Sequence, residues 1–376
     1  MIDFVCSQKD LKEAVAKAVK AVPAKPQLLV LENLKIDTQT GGNIVAFTGY
    51  DLTTGIISRT EAKTVHEFGE LLVNAKLFSS IVKKLPKGDV RIYSDEHLKL
   101  TIEQGSIVFN LPAIDVENYP EIERVHSKVQ SFTISQPALQ SMLAETLYAR
   151  SQSDAKPILK GEYFEVIDSR LNLTAIDGFR CAIRREPVQN EYDFSFTVNG
   201  DALEKISGLL STDTSSTVTV EFQKNLALFR LEKGADCTVI TRLLPGEFFN
   251  YRTAIPKKIS LSAHFDVPDL IETLERAYVL CVDSKLNCVK LRFNTCTNEL
   301  EINFDTAKGH FTETLTIEAE GESTEIGFNI RFLIEALKAI PGELAEMKLN
   351  GQLNPMMITP LAGDNYAHIL LPVRLK

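Results

Sequence analysis

A short phrase occurs three times along this chain, and its spacing limits the folds that the chain can adopt. The copies begin at Val73, Val198 and Phe328, and each continues with asparagine and then an apolar helical pattern. The three asparagines are 125 and 130 residues apart, about one third of the 376-residue chain. A unit of this length is too long for a solenoid repeat and has the size of an ordinary domain. The spacing therefore predicts three copies of one domain, at 1–128, 129–256 and 257–376.

A second set of helix-like stretches repeats with nearly the same period. Leu11, Leu139 and Leu270 each open one, and they are 128 and 131 residues apart. Apolar residues spaced at three and four positions predict one buried face per helix. The expected buried faces carry Leu11, Val15, Ala18, Val19 and Val22, then Leu77, Ile81 and Leu85, then Leu139, Met142, Leu143 and Leu147, then Leu203, Ile206, Leu209 and Leu210, then Leu270, Leu274 and Tyr278, and finally Phe332, Ala336 and Leu337.

Strand-like segments lie between and after these helices. Apolar and polar residues alternate over 98–102 and again over 107–111 around Gln104-Gly105, which predicts an antiparallel hairpin. A similar pair is expected at 218–222 and 226–231, and 28–36 is expected to be a strand before a turn at 41–42. Two helices packed on antiparallel sheets in each third predict an α+β fold.

Composition narrows the class of protein. The chain is 44% hydrophobic without a low-complexity tract, so each third can bury a core. Its start lacks a basic and then apolar leader, and no apolar run approaches about 18 residues, so we expect a cytoplasmic protein. The six cysteines form no C-x-x-C pair and the six histidines are scattered. We therefore expect reduced thiols, no metal site and no cofactor.

The charge of the chain is unevenly distributed. The net charge is −9, which taken alone argues against broad electrostatic contact with nucleic acid. Residues 7–20 nevertheless carry a net charge of +2, and residues 76–87 carry +4. These two helices have either ordinary lysine-rich solvated surfaces or basic faces that meet a polyanion.

The usual catalytic sequence motifs are missing. The chain has no G-x-x-x-x-G-K-[ST] loop, no G-x-G-x-x-G, no H-E-x-x-H and no G-x-S-x-G. Asp51, Asp177 and Asp305 occupy comparable segments, but with one in each third they are too dispersed for shared acid–base chemistry. We expect no catalytic residues.

Three further segments carry a resemblance to a known family. They are Ala-Ile-Asp-Gly-Phe-Arg at 175–180, Leu-Leu-Pro-Gly-Glu-Phe at 243–248, and Leu-Pro-Val-Arg-Leu at 371–375. In this order and with the triplication, the chain resembles the bacterial DNA polymerase III β sliding clamps over its whole length. The resemblance implies a head-to-tail homodimer that closes into a ring around duplex DNA, with helices lining the hole and sheets forming the outer wall. It also implies that the polymerase catalytic subunit, an ATP-dependent clamp loader, and other replication and repair proteins are partners.

Basic residues that would face the DNA follow from helix geometry and from the resemblance. The helix pattern places Lys9, Lys20, Lys76 and Lys83 off the apolar faces. The resemblance adds Lys25, where the family carries a basic residue near the pore, and Arg150 and Lys205 on pore-side segments. No single one of them is expected to be essential, because a spread-out field tolerates single losses.

The resemblance also implies a groove where partner proteins dock a short linear peptide. Its residues by motif position are Leu159, Ile176, Gly178, Phe179, Arg180, Cys181, Phe249, Thr253, Ala254, Leu286, Asn329, Phe332, Leu353, Pro355, Ile369, Leu370, Leu371, Pro372, Val373 and Arg374. The chain departs from the family at Phe249, Thr253 and Ala254, where proline, arginine and valine are common, and Lys376 extends the tail. By itself, Asp177-Gly178 predicts a hairpin turn, which can also form a pocket wall.

The resemblance further implies a dimer seam between edge strands. It pairs Phe109 and Leu111 of one chain with Val279 and Leu280 of the other. An exposed apolar edge invites aggregation in a monomer, and a closing head-to-tail contact removes that exposure. The alternative is a monomeric scaffold that binds peptides without encircling DNA. Neutralising the lysines of the first two helices discriminates the two, because a scaffold would keep all its activity.

Overall fold

The computed structural model describes residues 1–123, 130–190, 192–232, 236–281 and 287–375. Leu286 of the predicted groove and Lys376 of the tail lie outside the described residues. Over the part that is described, no helix has the length and apolar character needed to cross a membrane.

The first third of the chain combines two helices with antiparallel strands. The helices are α1 (Gln8–Ala18) and α2 (Ala75–Lys84), with 3-10 turns at Val19–Ala21 and Leu29–Glu32. The strands are β1 (Asp3–Ser7), β2 (Asn33–Asp37), β3 (Ile44–Tyr50), β4 (Thr54–Glu61), β5 (Thr64–Glu67), β6 (Glu70–Asn74), β7 (Asp89–Ser94), β8 (Lys99–Gln104) and β9 (Ile107–Ile114).

The second third repeats this pattern. The helices are α3 (Gln136–Thr146) and α4 (Gly200–Ser207), with 3-10 turns at Leu147–Ala149, Pro157–Lys160 and Tyr251–Ala254. The strands are β10 (Gln130–Ser135), β11 (Gly161–Ile167), β12 (Arg170–Ile176), β13 (Arg180–Pro187), β14 (Phe194–Asn199), β15 (Thr217–Gln223), β16 (Leu226–Leu231) and β17 (Cys237–Arg242).

The last third follows the same order. Its helices are α5 (Val267–Tyr278) and α6 (Ile330–Lys338). The strands are β18 (Leu261–Asp266), β19 (Cys288–Asn294), β20 (Glu299–Thr306), β21 (Gly309–Thr316), β22 (Glu318–Gly321), β23 (Thr324–Asn329), β24 (Leu344–Leu349), β25 (Met356–Thr359) and β26 (Tyr366–Leu370). The α+β prediction and both predicted hairpins, β8–β9 and β15–β16, are confirmed.

The repeated asparagine has a local structural cause. The side-chain oxygen of Asn74 accepts a hydrogen bond from the backbone N–H of Leu77 at 3.0 Å. Asn199 does the same for Asp201 at 2.8 Å, and Asn329 for Arg331 at 3.0 Å. The first N–H groups of a helix have no partner within the helix, and an asparagine cap satisfies one of them. The phrase therefore recurs because each copy turns a strand into a helix.

The chain forms two compact units, and the middle third is divided between them. Unit 1 comprises 1–137 and 202–243, and unit 2 comprises 138–201 and 244–376. In unit 1 the described strands form one sheet in the order β10-β15-β16-β17-β4-β3-β2-β6-β9-β8-β7-β1-β5. β17 joins the strands of the middle third to β4 of the first third, with Cys237 opposite Ser58.

Unit 2 contains two sheets among its described strands. The larger has the order β14-β11-β12-β13-β26-β25-β24-β18-β22, and the smaller has the order β21-β20-β19-β23. β13 of the middle third pairs antiparallel with β26 of the last third, with Arg180 opposite Leu370. The segment at 175–180 and the C-terminal segment are thus brought together by main-chain pairing.

Three predicted helix faces are wrong in detail. On α2, Leu77 is 47% exposed, and Phe78 is buried in its place. Because Asn74 caps α2, the helix begins at Ala75. The residues three, six and seven positions after Ala75 therefore face the core. On α5, Tyr278 is 39% exposed at the last position of the helix. On α6, Phe332 is only partly buried, while Leu333, Ala336 and Leu337 are buried.

The strand predicted over 28–36 is also wrong in its first half. Residues Leu29–Glu32 form a 3-10 turn, and β2 begins only at Asn33. The side-chain amide of Asn33 donates to the carbonyl of Val30 at 3.0 Å, which favours the turn over an extended chain. Leu29 is 79% exposed as a result.

Candidate functional site

The turn between β12 and β13 presents an aromatic side chain to solvent. Asp177 accepts hydrogen bonds from the backbone N–H groups of Phe179 at 2.8 Å and Arg180 at 3.0 Å. Gly178 has a φ of 95°, a backbone conformation that residues other than glycine rarely adopt. The turn holds Phe179 at 63% exposure, with its ring centroid 6.2 Å from that of Phe332. Asp177-Gly178 is therefore both a hairpin turn and a support for an exposed apolar group.

Arg180 is the buried centre of this region. Its Nε donates to Asp177 at 3.0 Å, its Nη2 donates to the carbonyl of Tyr148 at 2.7 Å, and its Nη1 donates to Glu335. The guanidinium lies 4.4 Å from the ring centroid of Phe332, within cation–π distance. Arg180 thus holds the turn, α6 and the end of the helix before Tyr148 together.

Contacts with two arginines keep the carboxyl group of Glu335 in its ionised form. Burial would raise the pKa of its carboxyl, but hydrogen bonds from Arg331 and Arg180 outweigh burial and hold the pKa below its usual range. Glu335 and Tyr148 were not predicted as site residues. The sequence signals Glu335 only through its spacing of four positions from Arg331 on a helix, and it gives no signal for Tyr148.

The C-terminal segment forms one wall of the region. After β26 pairs with β13, the backbone N–H of Leu371 donates to the carbonyl of Phe179 at 2.8 Å. The N–H of Val373 donates to the carbonyl of Gly327 at 2.8 Å, which attaches the tail to β23. Leu371 remains 42% exposed between these two attachments. Successive main-chain bonds thus hold residues 371–373 against the turn and against the strand that leads into α6.

The predicted groove residues divide into a buried floor and an exposed rim. The floor consists of Ile176, Cys181, Ile369 and Leu370, which are each at most 7% exposed. Leu159 and Ala254 pack on the same apolar cluster, which also includes Phe248 and Tyr251. The rim carries Phe179, Phe249, Leu353 and Leu371, which are 42–72% exposed. Thr253 and Arg374 are exposed, Pro355, Pro372 and Val373 are partly buried, and Asn329 caps α6.

The floor is apolar enough to suppress ionisation. Burial raises the pKa of the Cys181 thiol to about 12. Burial likewise lowers the pKa of His368 to about 3, and its Nδ1 lies 2.8 Å from the hydroxyl of Tyr148. Both groups are therefore neutral near pH 7, and neither brings a charge to the groove.

Lysines form a second candidate surface on unit 1. α1 and α2 pack on one another, and Lys9, Lys76 and Lys83 are exposed on them, as is Lys25 after α1. In the described part of the chain, none of these four makes an ion pair, so their charges face solvent. Lys20 is exposed too, and its ammonium donates to the carbonyl of Gly208. We name Lys9, Lys20, Lys25, Lys76 and Lys83 the lysine surface.

The two other predicted DNA-facing residues differ from the lysines. Arg150 in unit 2 is 8% exposed, and its Nη1 bonds Asp201 at 2.7 Å, so its guanidinium is largely buried; its place on a pore-side segment stays a prediction. Lys205 is partly buried and ion-paired with Asp51. The same carboxylate accepts from the backbone of Thr53 and Thr54 and closes the turn before β4. Arg150 and Lys205 stabilise local structure rather than add free positive charge.

The residues predicted for a dimer seam lie at strand and helix ends. β9 pairs with β8 along its length but with β6 only at Ala113 and Ile114, so 107–112 has an unpaired edge within the described structure. Phe109 is 39% exposed there, whereas Leu111 is only 7% exposed and packs in the core of unit 1. The Leu111 side chain therefore belongs to the core, and the expected pairing of this edge strand with a partner stays a prediction for its main chain. In unit 2, Val279 after α5 is 79% exposed and Leu280 is partly buried.

Three family models match the chain in consecutive segments. They are the N-terminal, central and C-terminal domains of the DNA polymerase III beta subunit, at residues 2–123, 133–250 and 252–374. Relatives named beta sliding clamp from Synechocystis sp. and Halalkalibacterium halodurans are each 29% identical, with 99% of both chains covered.

Solved structures are similar over the whole chain as well. The DNA polymerase sliding clamp from Bacillus subtilis has a TM-score of 0.93 at 26% identity, with both chains fully covered. A putative DNA polymerase III beta subunit from Eubacterium rectale has a TM-score of 0.92 at 26% identity, also with full coverage.

Proposed function

Because the chain belongs to the DNA polymerase III beta subunit family, the beta sliding clamps, we propose that it encircles duplex DNA and tethers the replicative polymerase to it. The observation that carries this proposal is the match of all three domain models in consecutive order along the chain. Domain boundaries near 1–128, 129–256 and 257–376 are part of the proposal. A clamp is a non-catalytic processivity subunit, so the proposal needs no cofactor and no catalytic residue.

The lysine surface supports contact with DNA without sequence recognition. Its five cations lie on a chain whose net charge is −9, so they give this part of unit 1 a positive charge that the chain as a whole lacks. Duplex DNA carries one negative charge per about 1.7 Å of axis, and phosphate contacts read no base edges. Long, solvated lysine side chains exchange phosphate partners easily. The contact is therefore suited to sliding, while the closed ring provides the long residence on DNA.

The groove of unit 2 supports docking of a linear peptide. An apolar floor, an exposed aromatic rim and a buried arginine match the design of sites for peptides with alternating large side chains. We propose that the polymerase catalytic subunit, the clamp loader and other replication and repair proteins bind here in turn. Phe249, Thr253 and Ala254 change the rim relative to many family members. Peptide preference is expected to differ at that end of the groove.

Two copies of the chain would close the ring head to tail. Unit 1 offers the free edge of β9 with Phe109, and unit 2 offers Val279 with Leu280. β21 is also an edge strand, since it pairs only with β20 among the described strands of its sheet. Pairing unlike edges and repeating the contact once gives a closed ring with no exposed apolar edge. The seam would use the main chain at Leu111, since its side chain is buried.

Ring opening then needs an outside source of energy. The sequence has no phosphate-binding loop for ATP, so a separate ATP-dependent loader is expected to open the ring on the chromosome, in the cytoplasm.

Retention on DNA tests the proposal. The chain is loaded with its loader and ATP onto a primed circular DNA, free protein is removed, and bound protein is measured before and after the circle is cut. Release on linearisation is expected, since a ring slides off a free end. A chain that stays bound after cutting is held by ordinary affinity and is not a ring. If it never loads but still binds partner peptides, the chain is a monomeric peptide-binding scaffold.

A further inference from the structure

A cavity of about 430 Å³ lies in unit 2 beside the groove, and Tyr251 belongs both to its wall and to the apolar cluster of the groove. It is lined by the end of β11, by residues of β12 and β13, and by the chain around the turn Tyr251–Ala254. Within that turn, Ala254 packs on the apolar cluster of the groove with Leu159, whereas Arg252 lines the cavity. The proposed clamp function uses none of the charged residues of the cavity.

The wall of the cavity is strongly positive. It contains four basic side chains, those of Arg170, Arg185, Arg252 and Lys257, against one carboxylate, that of Asp168. Such a concentration of like charge is costly to assemble unless counter-charges lie nearby. Wall cations that keep unused donors are therefore candidates to bind an anion.

Two of the four cations are held in place by carboxylates that do not line the cavity. Arg170 makes a two-pronged contact with Asp364 at 2.8 and 3.1 Å. Arg252 makes another with Glu165 at 2.6 and 3.0 Å. Each pair uses two of the five N–H donors of a guanidinium, so each arginine keeps donors for a ligand. Their orientation is set before any ligand arrives.

Arg185 is one of two cations of the cavity that make no ion pair among the described residues. It is partly buried, and its guanidinium donates to the backbone carbonyl of Asp364 at 2.5 Å. Among the described residues no carboxylate lies within ion-pair distance of it. Burial lowers its pKa, the more distant carboxylate of Asp364 opposes that effect, and repulsion from Arg170 and Arg252 adds smaller lowering contributions. Lys257, exposed at the rim, likewise makes no ion pair in the described chain. A bound anion would offset the electrostatic cost of holding the positive charges of Arg185 and Lys257 in this wall.

We propose that this cavity binds a phosphorylated small molecule of mononucleotide size. Guanidinium groups bind phosphate in a forked geometry, and here they approach from two strands and a turn. A tetrahedral phosphoryl group has enough oxygens to use these donors together, whereas a carboxylate has only two. The apolar side of the cavity, formed by Ile167, Ile255 and Pro256, suits the ring of a nucleoside. The volume lies within the roughly 300–1,000 Å³ of small-molecule sites.

Titration calorimetry on the full-length chain tests this site with two probes, pyrophosphate and adenosine diphosphate, at low salt without added metal. We expect one saturable site per chain, with adenosine diphosphate bound more tightly because of the apolar wall. Arg185→Gln is expected to weaken binding at least about tenfold, because it removes a charge-assisted, partly buried contact. Lys257→Gln, at the exposed rim, is expected to weaken binding by only about threefold.

A matched control separates a built site from general attraction. Arg292→Gln removes one exposed arginine of the same unit, which is paired with Glu301 outside the cavity, and is expected to leave binding unchanged. Equal losses in Arg292→Gln and Arg185→Gln, or no saturable binding, would overturn the proposal. If Arg185→Gln fails to fold by thermal melting, unchanged binding in Lys257→Gln overturns it. Binding of a hexaglutamate peptide but of neither phosphate probe would assign the cavity to acidic peptides and reject the phosphoryl ligand.

Discussion

The lysine surface and the groove use charge in different ways. Lys9, Lys76 and Lys83 extend into solvent without ion-pair partners in the described chain, and each is replaceable by a neighbour. Arg180 is 8% exposed and contacts two carboxylates, a carbonyl and an aromatic ring at once. A solvated charge contributes to an electrostatic field that depends on the summed charge of the surface. A buried charge contributes through specific contacts, so its removal leaves its partners unsatisfied.

Arg180→Ala is expected to give the largest effect. Removing the guanidinium leaves the carboxylates of Asp177 and Glu335 without their buried partner, which costs about 3–5 kcal/mol of unfolding free energy. Affinity for a labelled peptide from the cognate polymerase subunit should fall at least about tenfold. Denaturant unfolding and fluorescence anisotropy measure the two losses.

Arg331→Ala is the matched control, because Arg331 pairs with the same Glu335 at 2.8 Å but its side chain is 66% exposed. A surface pair of this kind is worth less than about 1 kcal/mol. Equal destabilisation in both variants would contradict the distinction between the buried and the solvated arginine.

Phe179→Ala separates binding from stability in the groove. The side chain is 63% exposed, so its loss should leave the melting temperature nearly unchanged. The same loss should weaken the labelled peptide about tenfold or more, as for an aromatic anchor at a binding surface. Phe68→Ala, at an equally exposed phenylalanine of unit 1, should leave peptide affinity intact. Unchanged peptide affinity in Phe179→Ala would show that the aromatic rim does not contribute to peptide binding.

His368 makes the stability of unit 2 sensitive to acid. Its pKa in the folded chain is about 3, below its ordinary 6.5, so the unfolded chain takes up the proton first. The stabilisation is complete above pH 6.5 and is lost as pH falls toward 3. At pH 5 this single group removes about 2 kcal/mol. Denaturant unfolding at several pH values measures the slope.

His368→Phe should flatten that slope between pH 4 and 6.5 relative to the native chain, whereas replacing the exposed His97 in the same way should not. Identical slopes in the native chain and in His368→Phe would assign the acid sensitivity to other groups.

The lysine surface should show the smallest single effects. Replacing Lys9, Lys20, Lys76 or Lys83 alone by alanine is expected to reduce loading onto primed circles less than about threefold, because the remaining charges still attract the phosphates. All four replacements together should reduce loading at least about tenfold and lessen its salt dependence. Lys308→Ala, exposed in unit 2, is the control. If replacing a single lysine caused the whole loss of loading, the DNA contact would be a localised site like the groove.

Several features were available from local sequence. The asparagine caps, the β8–β9 hairpin and the turn at Asp177-Gly178 each depend on residues within a few positions of one another, and the triplication is visible because such local patterns recur along the chain. Capping and turn formation are short-range, so their residue types predict them well. The resemblance carried by 175–180, 243–248 and 371–375 predicted the family, and the family models confirm it.

The remaining features were decided by contacts between distant segments. β17 joins β4, and β13 joins β26, although no repeat or spacing in the sequence specifies either pairing. The resemblance marked Arg150 and Lys205 as DNA-facing together with the free lysines, yet each is paired with an aspartate far from it in sequence. Arg170, Arg185 and Arg252 meet around a cavity only because strand pairing and the 3-10 turn bring them there. The residues by themselves determined the repeated local structure and the number of charges, whereas burial and pairing, which depend on tertiary packing, decided which of those charges remain free to bind.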